Sequence, residues 1–128
     1  MTELIAVALG GAVGAVLRYL SGIVIIRIIG RSDVLNGTVL SNLLGCFLAG
    51  MALAWIADGA AMPPQIMLFI TIGILGSLTT FSTFALETFQ LMEKGTMLQL
   101  AAYLTAQIIA AFLVTAGGYW LISIPGGS

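Results

Sequence analysis

The stretch Gly73-Ile74-Leu75-Gly76-Ser77-Leu78-Thr79-Thr80-Phe81-Ser82-Thr83-Phe84-Ala85-Leu86-Glu87 decides how the chain is read. It lies within a hydrophobic segment covering residues 65–92, yet two glycines and five hydroxyl residues interrupt it. An unbroken helix over that segment would reach roughly 42 Å, against a bilayer core of about 30 Å. The excess length and the Gly-Ser-Leu-Thr-Thr interruption predict a membrane helix that breaks near residues 76–80 and restarts around Phe81. Such a break frees carbonyls at the end of its first half and amides at the start of its second, and hydrocarbon offers neither a partner. Carbonyl ends suit a small cation or another protein element; amide and hydroxyl ends suit an anion. Beyond the break, Phe81 and Phe84 are three apart and share one helical face, with Ser82 and Thr83 turned away around the helix. That is the pattern of a pore lining.

Composition sets the class. Of 128 residues, 60% are hydrophobic and 7% charged, and the mean hydropathy is +1.16, whereas soluble domains carry about 25% charged residues. The chain is expected to be an all-α integral membrane protein. A net charge of -1 and the lack of histidine exclude nucleic-acid binding and leave no plausible catalytic constellation. The single Cys46 lies in an apolar run and offers no disulfide framework or soft metal site. The N-terminus lacks the basic region of a cleavable signal, so its apolar run is expected to remain as the first helix.

Four hydrophobic segments follow from the length: residues 4–29, 35–57, 65–92 and 96–124, forming one membrane domain over 1–128. In the first, Gly10 and Gly14 have the small-xxx-small spacing of closely packed membrane helices. Arg18 lies inside the same span, where a cation is costly; it either snorkels to an interface or lines a vestibule that attracts anions. In the second, Gly37, Ser41, Gly45 and Ala49 form one i+4 row and Thr38, Asn42, Cys46 and Gly50 another. This small, polar face calls for protein packing, and Asn42 either bonds to another helix or donates to a permeating ion. Residues 58–64 form a loop, with Pro63 and Pro64 preparing the next helix start. Glu87 continues the face of Thr83 and Phe84, as an interface carboxylate or as an acceptor along an ion path. In the fourth segment Tyr103, Gln107, Ala111 and Thr115 make a mixed polar row suited to packing or to flanking a pore, and Pro125 with the Gly-Gly-Ser tail ends it. Arg27, Arg31 and Lys94 put the loop cations on one side, which assigns the first and third loops to the cytoplasm.

The residues Gly10-Gly11-Ala12-Val13-Gly14-Ala15 with Arg18-Tyr19, Gly37-Thr38 through Asn42 to Gly45-Cys46-Phe47, and Gly76-Ser77-Leu78-Thr79-Thr80-Phe81-Ser82-Thr83-Phe84 resemble the Fluc fluoride channel family, also called CrcB. The match covers the first three segments in order, and its Thr-Thr-Phe-Ser-Thr-Phe core is specific. The resemblance implies an antiparallel, dual-topology homodimer with two fluoride pores near the subunit interface, exporting fluoride passively across a bacterial inner membrane. It implies that Phe81 and Phe84 line the pore, that Asn42 is its amide, and that Gly76 and Thr79 give backbone carbonyls to a central structural Na+. Thr38, Ser82, Thr83, Glu87 and Tyr103 would belong to the pore environment, and Arg18 would be the vestibule arginine. The one-sided loop charge departs from the balance that insertion in both orientations favours. A small proton-coupled four-helix exporter is the alternative, with Glu87 as its sole candidate carboxylate; a membrane scaffold subunit leaves the hydroxyl-rich break without a cause.

Overall fold

The computed structural model describes residues 1–59 and 62–123. Part of the expected second loop, the expected fourth-segment end at Ile124, Pro125 and the Gly-Gly-Ser tail lie outside the described residues. The regular elements are all helical: α1 (Thr2–Ile29), α2 (Gly37–Ala57), α3 (Pro64–Leu68), a π-helical segment (Phe69–Leu75), α4 (Gly76–Leu78), α5 (Phe81–Lys94), α6 (Met97–Thr105), a second π-helical segment (Ala106–Ala110) and α7 (Ala111–Ser123). They make four stretches long and apolar enough to cross a membrane, Thr2–Ile29, Gly37–Ala57, Pro64–Lys94 and Met97–Ser123.

Local chemistry sets the helix starts. The α2 helix begins at Gly37 because the Asn36 side chain accepts the Val39 N–H at 3.1 Å, which makes Asn36 the cap. Thr96 opens α6 with a reciprocal box: its hydroxyl accepts the Gln99 N–H at 3.2 Å while Gln99 Oε1 accepts the Thr96 N–H at 2.9 Å. Thr96→Ala is therefore expected to lower stability by about 1 kcal/mol. Thermal unfolding in detergent measures this, and an unchanged midpoint would show that the box adds nothing to the assembled bundle.

Small residues set the packing. Gly10 lies against Gly73 and the Phe69 carbonyl, and Gly14 against the Ile74 carbonyl and the Ser77 hydroxyl, so α1 packs backbone to backbone on the first half of the third span. Across the molecule α2 packs along α7, Gly50 meeting the Thr115 carbonyl and Gly118 the Phe47 carbonyl. The small-residue face of α2 is turned inward: Thr38, Ser41, Gly45, Gly50 and Ala54 are all buried. Large side chains such as Leu9, Val13, Val16 and Leu20 of α1 stand outward, as a lipid-facing surface requires.

The third span does not run straight through. Thr79 and Thr80 adopt extended backbone, with φ -85 and ψ 153 at Thr79 and φ -149 and ψ 115 at Thr80, and the helix resumes at Phe81. Upstream the chain is wound as a π-helix, a feature the residue pattern did not announce. Hydroxyls in this region return to carbonyls four residues back: Thr71 to Met67 at 2.7 Å, Ser77 to Gly73 at 2.8 Å and Thr79 to Leu75 at 2.8 Å. Past the break, α5 has α6 as its main neighbour.

Candidate functional site

The break is stitched by Asn42. The Thr80 N–H, which a continuous helix would give to the Gly76 carbonyl, is donated instead to Oδ1 of Asn42 at 2.8 Å, and the Asn42 Nδ2 returns a long bond of 3.4 Å to the Thr80 carbonyl. One side chain thus takes the place of one backbone partner, and the Gly76 carbonyl loses its intrahelical donor. Thr80 also caps the restarted helix, its hydroxyl accepting the Thr83 N–H at 3.3 Å and donating to Thr83 Oγ1 at 3.0 Å. Ser82 Oγ stands 3.3 Å from the same Thr80 hydroxyl.

A second Asn42 N–H goes to Gln107 Oε1 at 2.9 Å, and Gln107 Nε2 donates to the Tyr103 hydroxyl at 3.2 Å. Tyr103, with no exposed surface, donates to Glu87 Oε2 at 2.6 Å. Two further donors converge on that carboxylate, Asn36 Nδ2 at 2.9 Å and Thr38 Oγ1 at 2.7 Å. Polar side chains from the second, third and fourth spans therefore form one connected line from the helix break to Glu87.

Open spaces flank this line. A groove of about 650 Å³ is lined by Asn42, Gly76, Thr79, Thr80, Phe81, Phe84 and Gln107 together with small residues of α2 and α7. The Phe81 and Phe84 rings are 5.6 Å apart and tilted by 50°, and Phe84 stacks on Tyr103 at 5.9 Å. Phe81 is 79% exposed in the single chain, with its ring at the open side. A second groove, of about 430 Å³, is lined by Arg18, Thr38, Thr80 and Thr83. Glu87 borders a third space of about 580 Å³ with Ser32, Asp33, Asn36, Gln90, Lys94 and Gln99.

The candidate residues are thus distributed. Asn42, Phe81, Phe84, Gly76 and Thr79 share the largest groove, Arg18, Thr38 and Thr83 share the second, and Tyr103 is buried between the first groove and Glu87. Ser82 is exposed at the start of α5 and touches the cluster through Thr80. Sequence reasoning passed over Thr80, which belongs to two grooves, and Asn36, whose Asn-Gly position before α2 signalled a cap but not a link to Glu87. It noted Gln107 only as one member of a polar row; the signal was its i+4 spacing from Tyr103.

A family-wide profile described as "CrcB-like protein, Camphor Resistance (CrcB)" matches residues 5–119, all four spans. The chain belongs to the CrcB family. Among similar proteins, "Fluoride-specific ion channel FluC" of Geobacter sp. (strain M21) is 39% identical over 115 residues, 90% of this chain and 92% of that protein. The protein of that name from Shewanella frigidimarina (strain NCIMB 400) is 50% identical over 95 residues, covering 74% and 75% of the two chains. That of Shewanella sp. (strain ANA-3) is 42% identical over 118 residues, covering 91% and 94%. These relatives are named as channels, not as enzymes. The matched region includes the break, the phenylalanine pair and the line from Asn42 to Glu87.

Proposed function

We infer that this CrcB chain is the subunit of a passive, fluoride-selective channel that exports the ion across a bacterial inner membrane. The observation that carries the reading is the convergence, in one groove at a broken helix, of the Asn42 amide with the Phe81 and Phe84 rings. Fluoride is small, hard and strongly hydrated, so its water must be replaced by donors. An amide N–H, threonine hydroxyls and the positive edges of phenylalanine rings provide them. A larger halide would be held farther from the same donors. No fuel is required: neutral HF entering from acidic surroundings dissociates inside, and the negative interior drives the anion out.

The groove's open side supports a dimer. Asn42, Thr79 and Gln107 line it with polar groups paired within the chain, but the Gly76 carbonyl beside them has lost its helical donor and finds none in hydrocarbon, and Phe81 stands exposed at the same groove. A second copy covers such a face most economically, and two copies in antiparallel orientation would give two equivalent paths. The site fits a structural Na+ at the dimer centre: the Gly76 carbonyl lacks its helical donor, and Gly76 and Thr79 line the same groove. Backbone oxygens from both copies would hold the ion, and its fixed charge would tie the interface together and favour an anion nearby. Arg18 would draw anions toward the hydroxyls of Thr38, Thr80 and Thr83. The proton-coupled alternative has its single candidate carboxylate, Glu87, engaged by three donors.

The test is ion efflux from liposomes holding the purified protein, started with a K+ ionophore. Wild type is expected to release fluoride quickly and chloride little, while folded Phe81→Ile releases fluoride at least about a hundredfold more slowly, the loss that about 2.7 kcal/mol of barrier produces. Equal fluoride flux in wild type and empty liposomes would overturn the channel reading.

A further inference from the structure

We propose that Gln107 is a positioning residue of the anion path, relaying the orientation of Glu87 and Tyr103 to Asn42 so that this amide presents an N–H edge to the groove. This rests on the channel reading above. The line has a donor at one end, the Thr80 N–H, and a carboxylate acceptor at the other, Glu87. Between them stand Asn42, Gln107 and Tyr103, each able in isolation to face either way.

The ends remove that freedom. Thr80 N–H on Asn42 Oδ1 at 2.8 Å forces Nδ2 to the other edge of the amide. Nδ2 then needs an acceptor, and Gln107 Oε1 provides it at 2.9 Å, which turns Gln107 Nε2 toward Tyr103. The Tyr103 oxygen accepts Nε2 at 3.2 Å, and its only proton goes on to Glu87 at 2.6 Å. Reversing either amide alone brings two donors or two acceptors face to face. Every bond in the line runs toward Glu87, and bonds arranged head to tail polarise one another.

The consequence lies at Asn42. One of its two amide hydrogens is held by Gln107; the other has only the 3.4 Å contact to the Thr80 carbonyl, at the weak limit of a hydrogen bond. With the amide plane held in place, an anion in the groove can take that second hydrogen from the Thr80 carbonyl without breaking a good bond. Without the Gln107 acceptor the first hydrogen loses its partner, and the amide relaxes onto Thr80 with both groups, strengthening the bond that an anion has to displace. Gln107 thus acts through Asn42 rather than by touching the ion.

Asn36 and Asn42 are the two asparagines of the chain, so asparagine carrying 15N in its side chain gives two pairs of amide signals. These are recorded for the full chain in detergent micelles, Asn42→Asp identifying the Asn42 pair. Without added halide, Gln107→Met is expected to shift the Asn42 pair and leave the Asn36 pair in place. Tyr103→Phe, which removes the acceptor that turns Gln107 Nε2 away from Asn42, is expected to shift the Asn42 pair as well and serves if the methionine variant does not fold, an unchanged pair there overturning the relay equally. With NaF, but not NaCl, one wild-type Asn42 proton is expected to move. In Gln107→Met that response weakens and fluoride efflux falls about tenfold, the scale of one lost hydrogen bond. An Asn42 pair unchanged in Gln107→Met would overturn the relay while leaving the channel reading intact. A halide-free shift in Gln107→Met, with neither a fluoride response nor fluoride efflux in wild type, would overturn the channel reading instead, and with it the relay's purpose.

Discussion

Asn42→Leu is expected to abolish fluoride efflux and to destabilise the folded chain by about 2 kcal/mol or more. Leucine fills the space but offers no acceptor for the Thr80 N–H, which then lies unpaired at a residue only 9% exposed; a buried donor left without a partner costs about 1–3 kcal/mol. Gln107 loses its donor in the same step. Asn42→Asp separates the two consequences. It keeps an oxygen for the Thr80 N–H and so spares the unpaired donor, but its second oxygen faces the Gln107 Oε1, and it places a negative charge in the groove and removes the N–H groups. Unfolding in detergent beside liposome efflux gives both readings. Efflux that survives in Asn42→Asp would remove the Asn42 amide from the anion path.

The second large effect concerns packing. Gly14→Leu is expected to prevent a stable fold, at a cost of more than about 3 kcal/mol, because a side chain there meets the Ile74 carbonyl and the Ser77 hydroxyl. Backbone cannot rotate aside as a side chain does, so α1 would have to leave the half-helix that precedes the break. Ser77 would suffer with it, since its hydroxyl bonds the Gly11 carbonyl of α1 at 2.8 Å. Gly11→Ala is the contrast within the same motif: nothing lies within 4 Å of an added Cβ, and the change is expected to fall within about 0.5 kcal/mol. Size-exclusion profiles and thermal midpoints in detergent decide between them. Equal tolerance at both positions would refute the close approach of α1 to the third span.

Most of the architecture was legible because a bilayer leaves a chain few choices. Apolar length marked the spans, and the excess length with Gly76 to Thr80 marked the interruption, which the structure puts at Thr79 and Thr80. Small residues at i+4 steps marked the buried face of α2. Sequence did not show the mate of each polar group. Asn42 meets Thr80 and Gln107, 38 and 65 residues away, and such pairings follow from how spans pack, not from spacing along one helix. The π-helical turns were illegible for a related reason: the first packs on α1 and the second on α2, and no residue type announces them.

The Asn42 pairings also order the life of the chain before it conducts anything. A ribosome delivers the spans in sequence, and domains mature as their segments emerge. When the second span enters the bilayer, its amide at Asn42 has neither of the partners it keeps in the finished protein; Thr80 arrives one span later and Gln107 two spans later. Packing of α2 on α7 likewise waits for the last helix. The nascent chain must therefore hold a polar stripe in reserve until synthesis is nearly complete.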